Sequence, residues 1–332
     1  VQLLMIVKPA KPFSDETKLK IDQFVMRGGK LLLFVDKLEA ELDSLQSKKG
    51  EVVAYDRGLE LNDMLFKYGV RINSDLVMDL QCDFLPFDVN GNGQFELLPW
   101  NYFPVFETRS NHIINKNLGF VSGRFVNSVD TVEAEGIRKT VLLSSSANAR
   151  SIATPALISV KENSDAPENE RFKRSNIPVA MLLEGKFRSL FSNRLSQAMR
   201  DSLQKYGGTF MSQCIADNKI IVVADGDIVL NSVIKGNQPI PMGMNPYTFG
   251  SQREFAFANR DFLQNCLDYL VNPSGLSEAK AKDYTLRLLD KKKTDAGKMN
   301  WQLINIAVPV LLVILFAVLY QFLRKRKYIH SR

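Results

Sequence analysis

Apolar runs and helical periods take turns along this chain, and their order predicts its architecture. LLMIVKP, residues 3–9, is an unbroken apolar run closed by Lys-Pro and reads as a strand. Ser14 then stands as an N-cap, with Asp15 and Glu16 in the first turn. Leu19, Ile21, Phe24 and Val25 form the apolar face of a helix that Gly28-Gly29 ends. KLLLFVD, residues 30–36, is the continuous run that a strand covered on both faces requires. Strand, helix and strand in this order predict a βαβ unit. A strand reached within two residues of the start also leads us to expect a body incomplete at its N-terminus.

Residues 37–57 are charge-rich and predict a short helix and a loop. GLELNDMLFKYGV (58–70) repeats the helix-then-glycine pattern, and SDLVMDL (74–80) predicts another strand. Residues 83–125 are broken by Pro86, Pro99 and Pro104 and are expected to be irregular. TVLLSSS (140–146), PVAMLLEG (178–185) and KIIVVADGD (219–227) are three more strand-like runs. Between the first two, residues 161–176 form a solvated insert. DIVLNSVI (227–234) is expected to be helical. NRDFLQNCLDYLVN (259–272) is an amphipathic helix with Phe262, Leu263, Cys266, Leu267 and Leu270 on one side, stopped by Pro273 and Gly275. The expected fold is α/β: a three-layer body with a mostly parallel sheet, amidotransferase- or flavodoxin-like, and one C-terminal transmembrane helix.

That last element is the clearest in the sequence. Fifteen of the twenty-three residues from Trp301 to Leu323 are Leu, Ile, Val or Phe, and no charge lies between Lys298 and Arg324. A helix of this length is ~34 Å long, enough for a hydrocarbon layer of ~30 Å. The fifteen apolar residues favour insertion by roughly 5 to 9 kcal/mol. Trp301 and Tyr320 fit interfacial anchors, and Arg324, Lys325, Arg326 and Lys327 form a stop-transfer cluster that places the tail in the cytoplasm. The expected organisation is an extracytoplasmic body over 1–275, a basic helical stalk over 276–298, the span over 299–323 and a cytoplasmic tail over 324–332.

Charge refines this picture. The chain carries +7, of which the tail accounts for +5 and residues 280–298 for +4, leaving −2 for the body. Cations crowded beside a membrane helix favour anionic lipid of the inner membrane and speak against nucleic acid. Cys82, Cys214 and Cys266 are an odd number at wide spacings in apolar surroundings, which excludes a disulfide framework and leaves one bridge conceivable.

Candidate chemistry is sparse. In DVNGNGQFE (88–96), Asp88, Asn90, Asn92 and Gly93 match the start of a calcium loop, but its twelfth position is Pro99. An Asn-Gly turn between two strands fits better. Gly28-Gly29-Lys30 precedes a strand where a phosphate loop follows one, and reads as a helix end. The histidines are His112 and His330, and no G-x-S-x-G, H-E-x-x-H or C-x-x-C occurs. The credible crevice lies past the carboxyl ends of strands, where Asp36, Asp225, Asp227 and Asn231 stand. There Asp227 is expected to cap the following helix and Asp225 to tie down the turn. No cofactor or metal is expected.

These stretches in order, IDQFVMRGGKLLLFVDKLEAELDSL, PWNYFPV, SNHIINKNLGFV, KTVLLSSS, VAMLLEGKFRSLF, VVADGDIVLN, NRDFLQNCLDYLV, LRLLDKKK and WQLINIAVPVLL followed by RKRKY, resemble the gliding-motility-associated GldG proteins of Bacteroidetes. The likeness runs through nearly the whole chain. It implies an auxiliary component of an ABC-type transport system with a partner ATPase and permease (GldA and GldF). It also implies an extracytoplasmic α/β domain related to those of ciliary intraflagellar-transport proteins and class I glutamine amidotransferases, without their catalytic Cys and His. The expected role is non-enzymatic, contacting the permease and a small-molecule or envelope-protein ligand. The rivals are an envelope hydrolase or amidotransferase-like enzyme using Asp225 and Asp227, with His112 as a further candidate, and a purely structural envelope anchor.

Overall fold

Strand β1 (Leu3–Val7), helix α1 (Asp15–Met26) and strand β2 (Lys30–Phe34) form the expected βαβ unit, with β1 and β2 in parallel register from Leu3 opposite Lys30 to Val7 opposite Phe34. Ser14 Oγ accepts from the Thr17 amide at 3.3 Å, and Gly28 takes a φ of +92° just past the helix end, as a left-handed exit requires. The computed structural model describes residues 1–42, 45, 50–88, 92–108, 110–160, 171–205, 208–234, 236–272, 274 and 291–329. These fall into two compact units, Val1–Lys282 and Asp283–Arg332.

In the first unit the chain continues through α2 (Asn62–Tyr68), β3 (Ile137–Ser144), β4 (Pro178–Gly185), α3 (Gln197–Lys205), β5 (Asn218–Val223) and α4 (Asn259–Val271). The central sheet has the spatial order β1-β2-β5-β4-β3. β1, β2 and β5 are parallel neighbours, whereas β4 runs antiparallel to both β5 and β3. The sheet is therefore mixed, which corrects the expectation of a mostly parallel one. An unbroken apolar run reports cover on both faces, and a central strand has that cover whichever way it runs.

The cover is real, and it makes three layers. Leu31, Leu33, Met181, Leu183, Ile220 and Val222 face the side packed by Leu19 and Val25 of α1 and Met64 and Leu65 of α2. Leu32, Phe34, Ala180, Leu182, Ile221 and Val223 face the other, against Phe262, Cys266 and Leu270 of α4. Each Leu or Ile fully withdrawn from water in this way contributes roughly 1.5–3 kcal/mol.

Two stretches depart from expectation. Residues 37–57 hold helical residues at Leu42 and Leu45, as expected, but also strands Leu38–Glu39 and Glu51–Asp56, and most of the antiparallel pair Cys82–Asp88 and Phe95–Phe106 falls within residues 83–125. The prolines did not break this pair. Pro99 lies opposite Phe84 and Pro104 opposite Cys82, on either side of a register shift where the ladder is already interrupted. An aromatic cluster rewards the pairing, with Trp100 stacked edge-on against Phe103 at 4.9 Å and Phe125 at 5.7 Å. At the tip, Asp88 accepts from the amides of Asn92 and Gly93, so its carboxylate closes a turn between strands, as expected. Asn90 lies outside the described residues.

The expected helix over 227–234 is a single 3₁₀ turn, Asp227–Val229, after which Val233–Ile234 pairs with Gln238–Pro239. None of the three cysteines forms a disulfide.

The second unit contains α5 (Lys291–Ile329), whose stretch Gln302–Gln321 is long and apolar enough to cross a membrane and has no part buried against protein. Tyr320 and Arg324 are exposed on it. The side chains of Trp301, Lys325, Arg326 and Lys327 lie outside the described residues, as do the insert residues 161–170, the stalk residues 276–290 and His330.

Candidate functional site

The carboxyl ends of the three parallel strands deliver their next residues to one place. β1 ends at Val7, and Lys8 follows with a φ of +45°, its amide bonded to Phe34 O at 2.8 Å. β2 ends at Phe34, and Asp36 follows; β5 ends at Val223, and Asp225, Gly226 and Asp227 follow. Lys8 Nζ stands 2.7 Å from Asp227 Oδ1, 3.1 Å from Asp36 Oδ2 and 3.0 Å from Glu41 Oε2. Glu41 in turn holds Arg57 at 2.9 Å. Asp36 also accepts from the Gly226 amide, which pins the β5 turn to the end of β2.

Asp225 sits behind this cluster, 1% exposed. Its Oδ1 accepts from the Asp227 amide at 2.7 Å and its Oδ2 from the Arg124 amide at 2.8 Å. A side chain at position 123 would bring a Cβ within 2.7 Å of Asp225 Oδ2 and 2.6 Å of Val126, which is why glycine stands there. The expectation for Asp225 holds, since it ties down the turn. That for Asp227 does not: the 3₁₀ turn has no side-chain cap, and the Asp227 carboxylate serves Lys8.

Burial, then repulsion from Asp227 and Asp36, pushes the Asp225 carboxyl well above the ordinary carboxylate range. Asp36 is raised for the same reasons, burial first and Asp227 second, which exceed the pull of Lys8. Burial works against the Lys8 ammonium, yet Asp227 and Asp36 outweigh it and hold its pKa above that of a free lysine.

Carboxylate oxygens of Asp36, Asp225 and Asp227 lie within 4.8 Å of one another, a spacing that suits a divalent cation. The ammonium of Lys8 already pairs with Asp36 and Asp227, so two of the three donors are satisfied by the chain's own cation, and the third, Asp225, by backbone amides. Asp225 has both oxygens on backbone amides and is shut away from solvent, which fits neither a nucleophile nor a general base.

Asn231 lies beside the cluster, its Nδ2 donating to Ile240 O at 2.8 Å. With Asp227, Arg124, Ser122, Ser232 and Asp83 it lines a polar cavity of about 120 Å³. Arg124 reaches it with Nη2 on Ser232 Oγ at 3.0 Å and its guanidinium over the Phe103 ring. A second cavity, of about 280 Å³, opens beside β2 and includes Lys37, Asp56 and Asn62. Of the four predicted crevice residues, Asp36, Asp225 and Asp227 converge and Asn231 borders them.

Lys8, Glu41 and Arg124 were missed. Lys8 had a signal, because it follows an apolar strand as Asp36 does. Arg124 had none, since it arrives from a loop 101 residues away from Asp225. His112 lies far from this chemistry: its Nδ1 accepts from the Ile114 amide, its ring meets Tyr269 edge-on at 4.7 Å, and burial lowers its pKa.

Comparison with known proteins adds what geometry does not. The sequence model of the family described as ABC-type uncharacterized transport system matches residues 1–266. No curated protein matches the chain. Among solved structures the chain is similar to one titled mmIFT52 N-terminal domain, at 12% identity and a TM-score of 0.40 over 82% of this chain and 78% of that one; a likeness this low carries no argument.

Proposed function

The chain belongs to the family of ABC-type transport-system auxiliary components, and from that membership we propose that it is a membrane-anchored, non-catalytic subunit of such a system. In this reading α5 crosses the inner membrane, the α/β body lies outside the cytoplasm, and the basic residues from Arg324 to Lys327 stay inside. A partner ATPase and permease complete the assembly. The resemblance to the GldG proteins connects it with gliding motility. The crevice around Asp36, Asp227 and Asn231, with the cavity that Arg124 borders, is the place on the body for a small polar ligand or a loop of an envelope protein.

The observation that carries this reading is the family match over residues 1–266, continued in chain order by an apolar helix with none of its length buried against protein. A subunit of this kind passes nucleotide-driven movement of the permease outward, or presents a ligand to it. The test is affinity purification of the full-length protein from native membranes in a mild detergent. An ATPase and a permease are expected to elute with it. Recovery of the intact protein alone, under extraction gentle enough to preserve other membrane complexes, would overturn the proposal.

A further inference from the structure

The rim of the sheet opposite the Lys8 cluster gathers cations. Lys30 opens β2, Lys219 is the second residue of β5, Arg138 the second of β3, and Lys186 and Arg188 follow the end of β4. The register sets Gly185 opposite both Asn218 and Ile137, so these positions share one edge of the body. Arg138, Lys186 and Arg188 are exposed. The rim also holds acids, and they engage some of its cations: Glu184 pairs with Arg138 at 2.6 Å, Glu135 with Arg188 at 2.8 Å, and Asp217 is exposed on the loop entering β5.

The same loop carries an apolar tip. Ile215 is 76% exposed, more than any other large aliphatic among the described residues of the body except Val1. The amide of Cys214 beside it bonds to Phe187 O at 2.9 Å, which holds the tip next to Lys186 and Arg188. Tyr269, in the last turn of α4, lies under the Lys219 ammonium at 3.7 Å from the ring centroid and donates to Glu184 at 2.7 Å. Val271, the last residue of α4, is 49% exposed.

We propose that this rim is a lipid-facing surface that rests on the headgroups of an anionic bilayer, its cations on the phosphates and Ile215 between them. The inference rests on the membrane-anchored reading above. An exposed aliphatic held next to Lys186 and Arg188 is the pattern of an interfacial contact, where long basic side chains reach phosphate while an apolar group enters the acyl boundary. Each basic residue near an anionic surface biases contact by about fivefold. A few such residues are too weak to recruit a free protein, but they suffice for a body that its own span already holds beside the bilayer. The attraction acts within a screening length of ~8–10 Å, so salt removes it.

The test uses the full-length chain reconstituted into vesicles of phosphatidylcholine alone or with phosphatidylglycerol. Amide hydrogen exchange is followed over 186–189 and 213–219, with 226–232 at the opposite rim as the internal control. Exchange at the first two segments is expected to slow about fivefold or more in the anionic vesicles, at the scale one cation contributes. The slowing is expected to vanish in about 0.5 M salt, and in the surface variant Lys186→Glu with Ile215→Ser. Equal exchange in both lipids, or protection indifferent to salt and to the variant, would overturn the proposal. Extraction of the chain by alkaline carbonate would instead sink the anchoring itself, so the two failures are told apart.

Discussion

Lys8 and Asp227 are 219 residues apart in sequence and 2.7 Å apart at Nζ and Oδ1. Through this contact the turn after β1 is fastened to the turn after β5, with Asp36 of the intervening strand completing the clamp at 3.1 Å. One cation thus orders the ends of three adjacent parallel strands, and its removal leaves two mutually repelling carboxylates with little access to water.

Lys8→Ala is therefore expected to destabilise the body by about 3 kcal/mol, the lower part of the range for breaking a buried pair, because all three partners keep slight solvent access. Denaturant unfolding with the slope unchanged is the measurement. The same variant removes the cation shared by Asp36 and Asp227, two members of a carboxylate set whose oxygens lie within 4.8 Å of one another. Millimolar calcium should then raise the melting temperature of Lys8→Ala and leave that of the wild type where it was. A wild type that responds as strongly as the variant would show that Lys8 does not fill the cation position.

The parts of this arrangement that sequence made legible are those encoded locally. KLLLFVD announced a strand covered on both sides, the Gly28 exit ended α1 where expected, and Phe262, Cys266 and Leu270 fixed the buried side of α4. The direction of β4 was not legible, because Val179 to Leu183 are buried in a way that either direction satisfies. The pair Cys82–Asp88 and Phe95–Phe106 was hidden by its prolines: Pro99 and Pro104 flank a register shift that only the partner strand creates, while Pro86 sits in the regular ladder opposite Leu97. In the site, aspartates past strand ends were found by the same rule that would have found Lys8. Arg124 depends on tertiary structure alone.

The raised carboxyl of Asp225 gives a pH dependence with a definite sign. A carboxyl whose native pKa lies above its unfolded value near 3.8 binds protons more tightly when folded. Its contribution to stability therefore grows as pH falls from its native pKa toward that value, and levels off below it. Other carboxyls, such as Asp56 and Glu184, are lowered and act in the opposite sense, so the comparison must isolate one group. Asp225→Asn removes the titration while keeping the shape. It is expected to cost roughly 1–3 kcal/mol at pH 7, because its amide turns an N–H toward a backbone donor. The wild type's advantage over it should widen on acidification from pH 7 toward 4. A gap that narrows instead, measured by unfolding at several pH values, would mean that Asp225 is not raised in the folded protein.

The helix α5 sets the last expectation, since the anchoring reading requires lipid around residues that no protein covers. Leu312, 61% exposed, lies near the middle of Gln302–Gln321, where an arginine costs about 2.5–3.5 kcal/mol of insertion free energy. Set against the roughly 5–9 kcal/mol that favours the native span, Leu312→Arg should leave roughly 1–6 kcal/mol in favour of insertion, and a second arginine at Leu315 should bring the balance to about zero, so that the inserted fraction falls stepwise. The fraction resisting alkaline carbonate measures both. The body, a separate compact unit, should keep its melting temperature in each variant, because its core residues come from other elements. A reporter after Arg332 should be inaccessible from outside intact cells in the wild type. If carbonate released the wild type as readily as the double variant, α5 would be a helix that needs a protein partner to cover it, and the orientation argued from Arg324 to Lys327 would lose its basis.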